Sequence, residues 1–209
     1  MLWENFSSKD PELNSLIKAL YAFTVKFNVD LKIAYVPSLE NPADGLSRSL
    51  SAQDCMLCRE KFILLEGRFG PHEVDLMALD SNTMKDKFGN PLKHFTPYPT
   101  PNSGGVNLFS QELEANMVYY VFPPFCLILP VLSFLKQQRV SNCTIVVPVA
   151  DVKPVWWPVF CQFHVEHIVL GQKGDKDVLL FPSKKGFKVS KYGLSDELWA
   201  AKLCFNFSL

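Results

Sequence analysis

The stretch that most constrains this chain is "MVYYVFPPFCLILPVLSFL", residues 117 to 135, nineteen consecutive positions without a charge. That is the length a membrane-spanning helix requires, so the segment belongs either in a bilayer or in the centre of a folded core. Its prolines separate the two. Pro123, Pro124 and Pro130 would remove backbone hydrogen bonds inside hydrocarbon, where each unmet polar group costs several kcal/mol. A strand over "NMVYYVF", a Pro-Pro turn and a buried helix from Pro130 to Gln138 use the same residues naturally. The expectation is therefore a folded core with no membrane partner, and a membrane-associated protein is the alternative.

The sequence around this stretch fits a layered α/β fold. "CTIVVPV" follows as a strand and "VWWPVF" as the start of another apolar helix or turn. Strand, helix, strand at this spacing is a parallel crossover unit, for which a right-handed connection is expected. "HIVLG" and "DVLLF" would add two further strands, the last as an antiparallel edge. Upstream, "HEVDLMAL" is a short apolar run suited to a buried strand, set off by Gly67 and Gly70-Pro71. Residues 89 to 105, with four prolines and three glycines, read as one long irregular loop.

The N-terminal part is organised differently. Asp10 as N-cap, Pro11 at the first helical position and Glu12 in the first turn predict a helix over residues 10 to 28. Leu13, Leu16, Ile17, Leu20 and Thr24 form a stripe that should pack. "LKIAYV" alternates as a strand would and stops at Pro37, and a second helix is expected near Pro42. The boundaries that follow are 1–58 for a helix-strand-helix piece, 59–70 for a linker or helix, and 71–209 for the α/β domain.

Charge narrows the partners. Lys plus Arg and Asp plus Glu both number 21, so the chain lacks the net positive field that gives most nucleic-acid binders their affinity for phosphate. Any such contact must be local. Lys184, Lys185, Lys188 and Lys191 form a basic cluster, which is either a solvated loop or a phosphate contact. Trp156 and Trp157 read first as core aromatics, with Trp157 as a candidate base-stacking residue. The opening "MLWENFSSKD" has no secretory pattern, so a cytoplasmic or nuclear location and six reduced cysteines are expected. "CMLC" at Cys55 and Cys58 lacks a second pair at zinc spacing. In "CQFHVEH", strand alternation would put His164 on the opposite face from Cys161 and from His167, so a metal site there requires an unusual backbone.

Two motifs carry resemblances. "YVPSLENPADGLSR", residues 35 to 48, resembles the end of the RNase H domain in retrotransposon polyproteins. The resemblance implies that Asp44 is a late carboxylate for a Mg²⁺ pair. The three earlier carboxylates of that family would lie upstream of this helix, so no RNase H activity is expected from this chain alone. "GPHEVDLMALDSN", "GGVNLF", "YYVFPPFCLILPVLSFL" and "TIVVP" followed by "WWP" occur in the order found in the segment after RNase H in DIRS-type retroelements. That segment is similar to phage DNA adenine methyltransferases. The implied fold is a truncated RNase H-like piece followed by a Rossmann-like, methyltransferase-type, mostly parallel sheet. The implied partners are DNA or an RNA/DNA hybrid and the upstream reverse transcriptase/RNase H portion of a polyprotein.

In the methyltransferases the target-base motif is Asp or Asn, then Pro-Pro and an aromatic, and its first residue accepts a hydrogen bond from the adenine amine. Here it reads Phe122, Pro123, Pro124, Phe125. Phe125 keeps a ring to stack on a flipped base, but Phe122 has no acceptor, and loss of one such preorganised contact costs about a hundred- to thousandfold in rate. On the cofactor side the glycine-rich turn is missing. Asp75 and Asn82 are the polar residues expected to line a pocket for S-adenosylmethionine, with a plain turn or cap role as the alternative for Asp75. The leading expectation is an inactive, retroelement-derived fragment with a structural or nucleic-acid-binding role. The rival is an S-adenosylmethionine-dependent DNA adenine methyltransferase. Mg²⁺ and S-adenosylmethionine enter by resemblance alone.

Overall fold

A computed structural model describes residues 11–30, 54–183 and 185–206. The chain forms two compact units, Met1–Ser49 and Leu50–Leu209. In the first, helix α1 (Pro11–Phe27) carries Glu12 in its first turn and Lys26 in its last, the placement that the helix dipole favours. Leu16 and Leu20, from the stripe expected to pack, are exposed. Asp10, the strand expected at 31–36 and the helix expected near Pro42 lie outside the described residues, as does Asp44.

The second unit contains β1 (Met56–Leu57), α2 (Arg59–Phe69), β2 (Val74–Asp75), β3 (Lys93–Thr96), β4 (Gly105–Val106) and β5 (Tyr119–Val121). It continues with α3 (Ile128–Gln137), β6 (Cys143–Val149), α4 (Trp157–Phe163), β7 (His164–Gly171), β8 (Leu179–Ser183), β9 (Gly186–Val189) and β10 (Glu197–Leu203). Among the described residues, one sheet has seven strands in the order β4-β3-β2-β5-β6-β10-β7. The first five are parallel, and β10 runs antiparallel to both β6 and β7. This is the mostly parallel, Rossmann-like α/β sheet that the sequence implies. Strands β1, β8 and β9 make a separate antiparallel sheet.

Both faces of the large sheet are covered, as parallel strands require. On one face α3 buries Ile128, Val131, Leu132 and Leu135, the i, i+3, i+4, i+7 stripe, and α4 adds Phe160 and Phe163. Pro130 is accommodated because it sits in the first turn of α3, where backbone N–H groups have no intrahelical partner. On the other face α2 buries Phe62, Leu65 and Phe69 together with Leu57 and Leu179. Pro148 fits within β6 because the pairing with β5 has already ended at Ile145.

Several expectations are corrected. Residues 59–70, expected as a linker or a helix, form α2 over Arg59–Phe69, and its apolar face belongs to the core of the second unit. That unit starts at Leu50, ahead of the boundary expected at 71. The supposed irregular loop at 89–105 contains β3 and the first residue of β4. "DVLLF" contributes β8 to the small sheet, and the reversed strand is β10, an internal strand rather than an edge. Among the described residues no helix is long and apolar enough to cross a membrane; residues 117 to 135 are divided among β5, the Pro-Pro turn and α3.

Candidate functional site

The chain moves outward from β2 to β4, then returns to the other side of β2 to place β5. Such a reversal opens a crevice beyond the carboxyl ends of the two central strands, where ligands of open α/β sheets bind. A cavity of about 230 Å³ lies there. It is walled by the segments that leave β2, β3, β4 and β5, including Asp75, Asn82, Thr96, Asn107, Tyr120 and Phe122. The structure thus brings together Asp75, Asn82, Phe122 and Pro124, four of the residues singled out in the sequence.

Asp75 ends β2 and is 2% exposed. Its carboxylate accepts from the Met77 and Met84 amides at 3.4 and 3.3 Å. Burial pushes its pKa up to about 7, against the opposing pull of those amides and of His94. The Asn82 side chain is also engaged, accepting from the Leu79 amide at 2.6 Å and donating to the Asp54 carbonyl at 2.9 Å. Asn82 therefore ties the turn after β2 to the segment preceding β1. Tyr120, 1% exposed on β5, differs from both. Its hydroxyl is buried without a hydrogen-bond partner, and burial, then Asp75 and Cys55, hold its pKa well above the ordinary phenol range. Tyr120 was not legible as a site residue, because in sequence it is one aromatic among several in an apolar run.

Alternation along β5 explains Phe122. Tyr119 and Val121 belong to one core, Tyr120 and Phe122 to the other, as successive strand residues must. Phe122 is 9% exposed, packed among apolar side chains. Pro124 caps the short 3-10 turn Phe125–Leu127, its carbonyl accepting from the Leu127 amide at 2.8 Å. Phe125 emerges 48% exposed.

On the far side of this loop lies a second cavity of about 350 Å³. It shares Cys55, Phe122 and Pro124 with the first and adds Pro123, Phe125 and Tyr192 to its walls. Tyr192 is 83% exposed. The β8–β9 hairpin also reaches this cavity through Phe181 and Ser190, and Lys185 and Lys188 stand exposed on it. Neither lysine lines the cavity, and Lys184 lies outside the described residues. Trp157 lines neither cavity. It is half-buried on α4, stacked on Phe160 at 5.2 Å with the Lys153 ammonium 4.6 Å above its ring.

No family model and no curated protein matches the chain. Among solved structures, the tRNA (m1A58) methyltransferase TrmI from Aquifex aeolicus is similar over 69% of this chain and 68% of that one, with a TM-score of 0.36 and 9% identity. The strand order, rather than this similarity, defines the fold.

The first cavity does not fit S-adenosylmethionine well. The turn after β2, Leu76-Met77-Ala78-Leu79, contains no glycine, and its Met77 and Leu79 amides are consumed by Asp75 and Asn82. About twenty residues beyond β2, where nucleotide-binding sheets place a carboxylate for the ribose, stands Thr96, whose hydroxyl donates to the Tyr98 carbonyl at 2.6 Å. Cys55 offers no thiolate, because burial pushes its pKa up to about 11. Cys58 is buried and donates to the Asp177 carbonyl. Among the described residues no group of three or more His, Cys, Asp or Glu side chains converges to hold a metal ion.

Proposed function

We propose that residues 50–209 form a catalytically silent, methyltransferase-derived domain that binds single-stranded nucleic acid, as part of a retroelement-derived polyprotein. One observation carries this reading. Two cavities meet at Phe122 and Pro124 beyond the central strands of the sheet, and the side chain between them is a buried phenyl ring. A carboxylate or amide there would steer an amine's lone pair; a phenyl ring cannot. Phe125 and Tyr192 remain as exposed rings beside the second cavity, and stacking contributes about 1–3 kcal/mol per base regardless of sequence. The exposed lysines of the β8–β9 hairpin supply the local positive charge that a chain with balanced charge otherwise lacks. The retroelement origin rests on the ordered motifs and on "NPADGLSR", in which Asp44 would be a Mg²⁺ ligand only beside carboxylates supplied from elsewhere.

The test uses the full chain. Fluorescence anisotropy with a labelled single-stranded oligonucleotide should give saturable binding that weakens about tenfold or more in Phe125→Ala and in Tyr192→Ala, one lost stack each. Incubation with methyl-labelled S-adenosylmethionine should leave DNA and RNA unlabelled. Methyl transfer would sink the silent reading, and oligonucleotide binding unaffected by both ring deletions would sink the nucleic-acid site.

A further inference from the structure

Strand β7 begins directly where α4 ends, at His164. Its register with β10 slips at that point. His164 faces Leu203 and Glu166 faces Lys202, leaving Val165 as an extra residue, after which His167 faces Ala201. A bulge of this kind reverses the alternation of side chains. His164 and His167, three apart and expected on opposite faces, therefore share the face of Trp199 and Ala201, while Glu166 turns to the other face and pairs with Arg68. His164 Nε2 and His167 Nδ1 are hydrogen-bonded to each other at 3.1 Å, so a bound ion would take the place of the shared proton.

From this geometry we propose that His164 and His167 form a two-histidine chelating site for a divalent first-row transition-metal ion. Two imidazole nitrogens bound at about 2.0–2.1 Å to neighbouring corners of a tetrahedron or octahedron lie roughly 2.8–3.4 Å apart. The observed separation falls inside that interval. The rings are held in place before any ion arrives, as outer-shell contacts hold ligands at metal sites. His167 stacks on Trp199 at 3.6 Å and 7°, the Trp199 indole N–H is anchored by Glu197, and His164 lies against Phe160 at 5.3 Å. His167 is exposed and His164 half-buried, so the site is open to solvent and leaves the remaining coordination positions to water or an external donor.

Ni²⁺ is the suitable probe, since imidazole binds it well and thiolates compete less than for softer ions. Titration of the full chain should quench tryptophan fluorescence at one saturable site, through Trp199 beside His167. His164→Ala and His167→Ala should each weaken the midpoint at least tenfold, whereas Cys161→Ser, altering the exposed thiol three residues before His164, should leave it unchanged. Unaltered circular dichroism of the variants shows that the sheet is intact. The proposal fails if no saturable quenching occurs up to millimolar Ni²⁺, if the double histidine variant keeps its midpoint, or if Cys161→Ser abolishes binding while His167→Ala does not.

Discussion

Asp75 and Tyr120 are register partners across the parallel pair β2–β5, and they meet at the floor of the same cavity with opposite hydrogen-bonding fortunes. The carboxylate has two amide donors, whereas the phenol has no partner. A buried hydroxyl left unsatisfied costs about 1–3 kcal/mol. Tyr120→Phe removes that group while keeping the ring that packs edge-on against Phe62 at 5.2 Å. The variant should therefore be as stable as the parent or about 1 kcal/mol more stable in urea denaturation. A clear loss of stability would mean that the hydroxyl has a partner in solution.

Asp75 makes stability depend on pH in a direction opposite to that of a salt-bridged carboxylate. Its native pKa is raised by burial to about 7, from an ordinary value of 3.8. Between roughly pH 4 and pH 7 the unfolded chain has lost this proton and the native chain retains it, so at this group stability falls as pH rises. Below pH 4 both states are protonated and the dependence vanishes. The full difference is a few kcal/mol at most. Comparing urea midpoints of the parent and Asp75→Asn across pH 4 to 8 should show the gap shifting steadily in favour of the variant up to about pH 7, then levelling.

A buried relay joins α2 to the sheet on the face opposite α3. Glu66 contacts His72 Nδ1, and His72 Nε2 lies 2.8 Å from the Thr144 hydroxyl on β6. His72 and Thr144 are both buried and line neither cavity, so this contact acts on the packing of α2 against the sheet. Thr144→Val keeps the shape and strips His72 of one partner, which should cost about 1–3 kcal/mol. Thermal denaturation measures this, and no change would show that water or a rotated ring satisfies the histidine.

Elements built from a strong local pattern were legible in the sequence, and those built from tertiary contacts were not. "CTIVVPV" matches β6 residue for residue, and the helix read from Pro130 starts at Ile128. Strand β3 was hidden because His94 and Thr96 are buried polar residues, satisfied by neighbours such as Asp80, 2.9 Å from His94 Nε2. A hydrophobicity pattern cannot register such pairs. Strand β10 was missed because "ELWAAKL" alternates only in part, being covered on both faces. Phe122 to Phe125, singled out by the target-loop motif, line one or both cavities, yet Tyr120 came to light only once its hydroxyl could be tested for partners. His164 and His167 were separated by the alternation rule, and only the bulge at Val165 brings them together.

The β8–β9 hairpin offers a test that separates charge from stacking. Lys185 and Lys188 are exposed on it, and neither lines the second cavity. If both lie along the phosphates of a bound strand, they release counterions, and each contact adds about 0.7 to the slope of log affinity against log salt concentration for single strands. The double variant Lys185→Ala/Lys188→Ala should weaken oligonucleotide binding at low salt and flatten that slope by roughly 1.4. Phe125→Ala should weaken binding equally at every salt concentration and leave the slope alone, because stacking displaces no counterions. Anisotropy titrations at several salt concentrations distinguish these outcomes. A lysine variant with an unchanged slope would place the phosphates elsewhere on the domain.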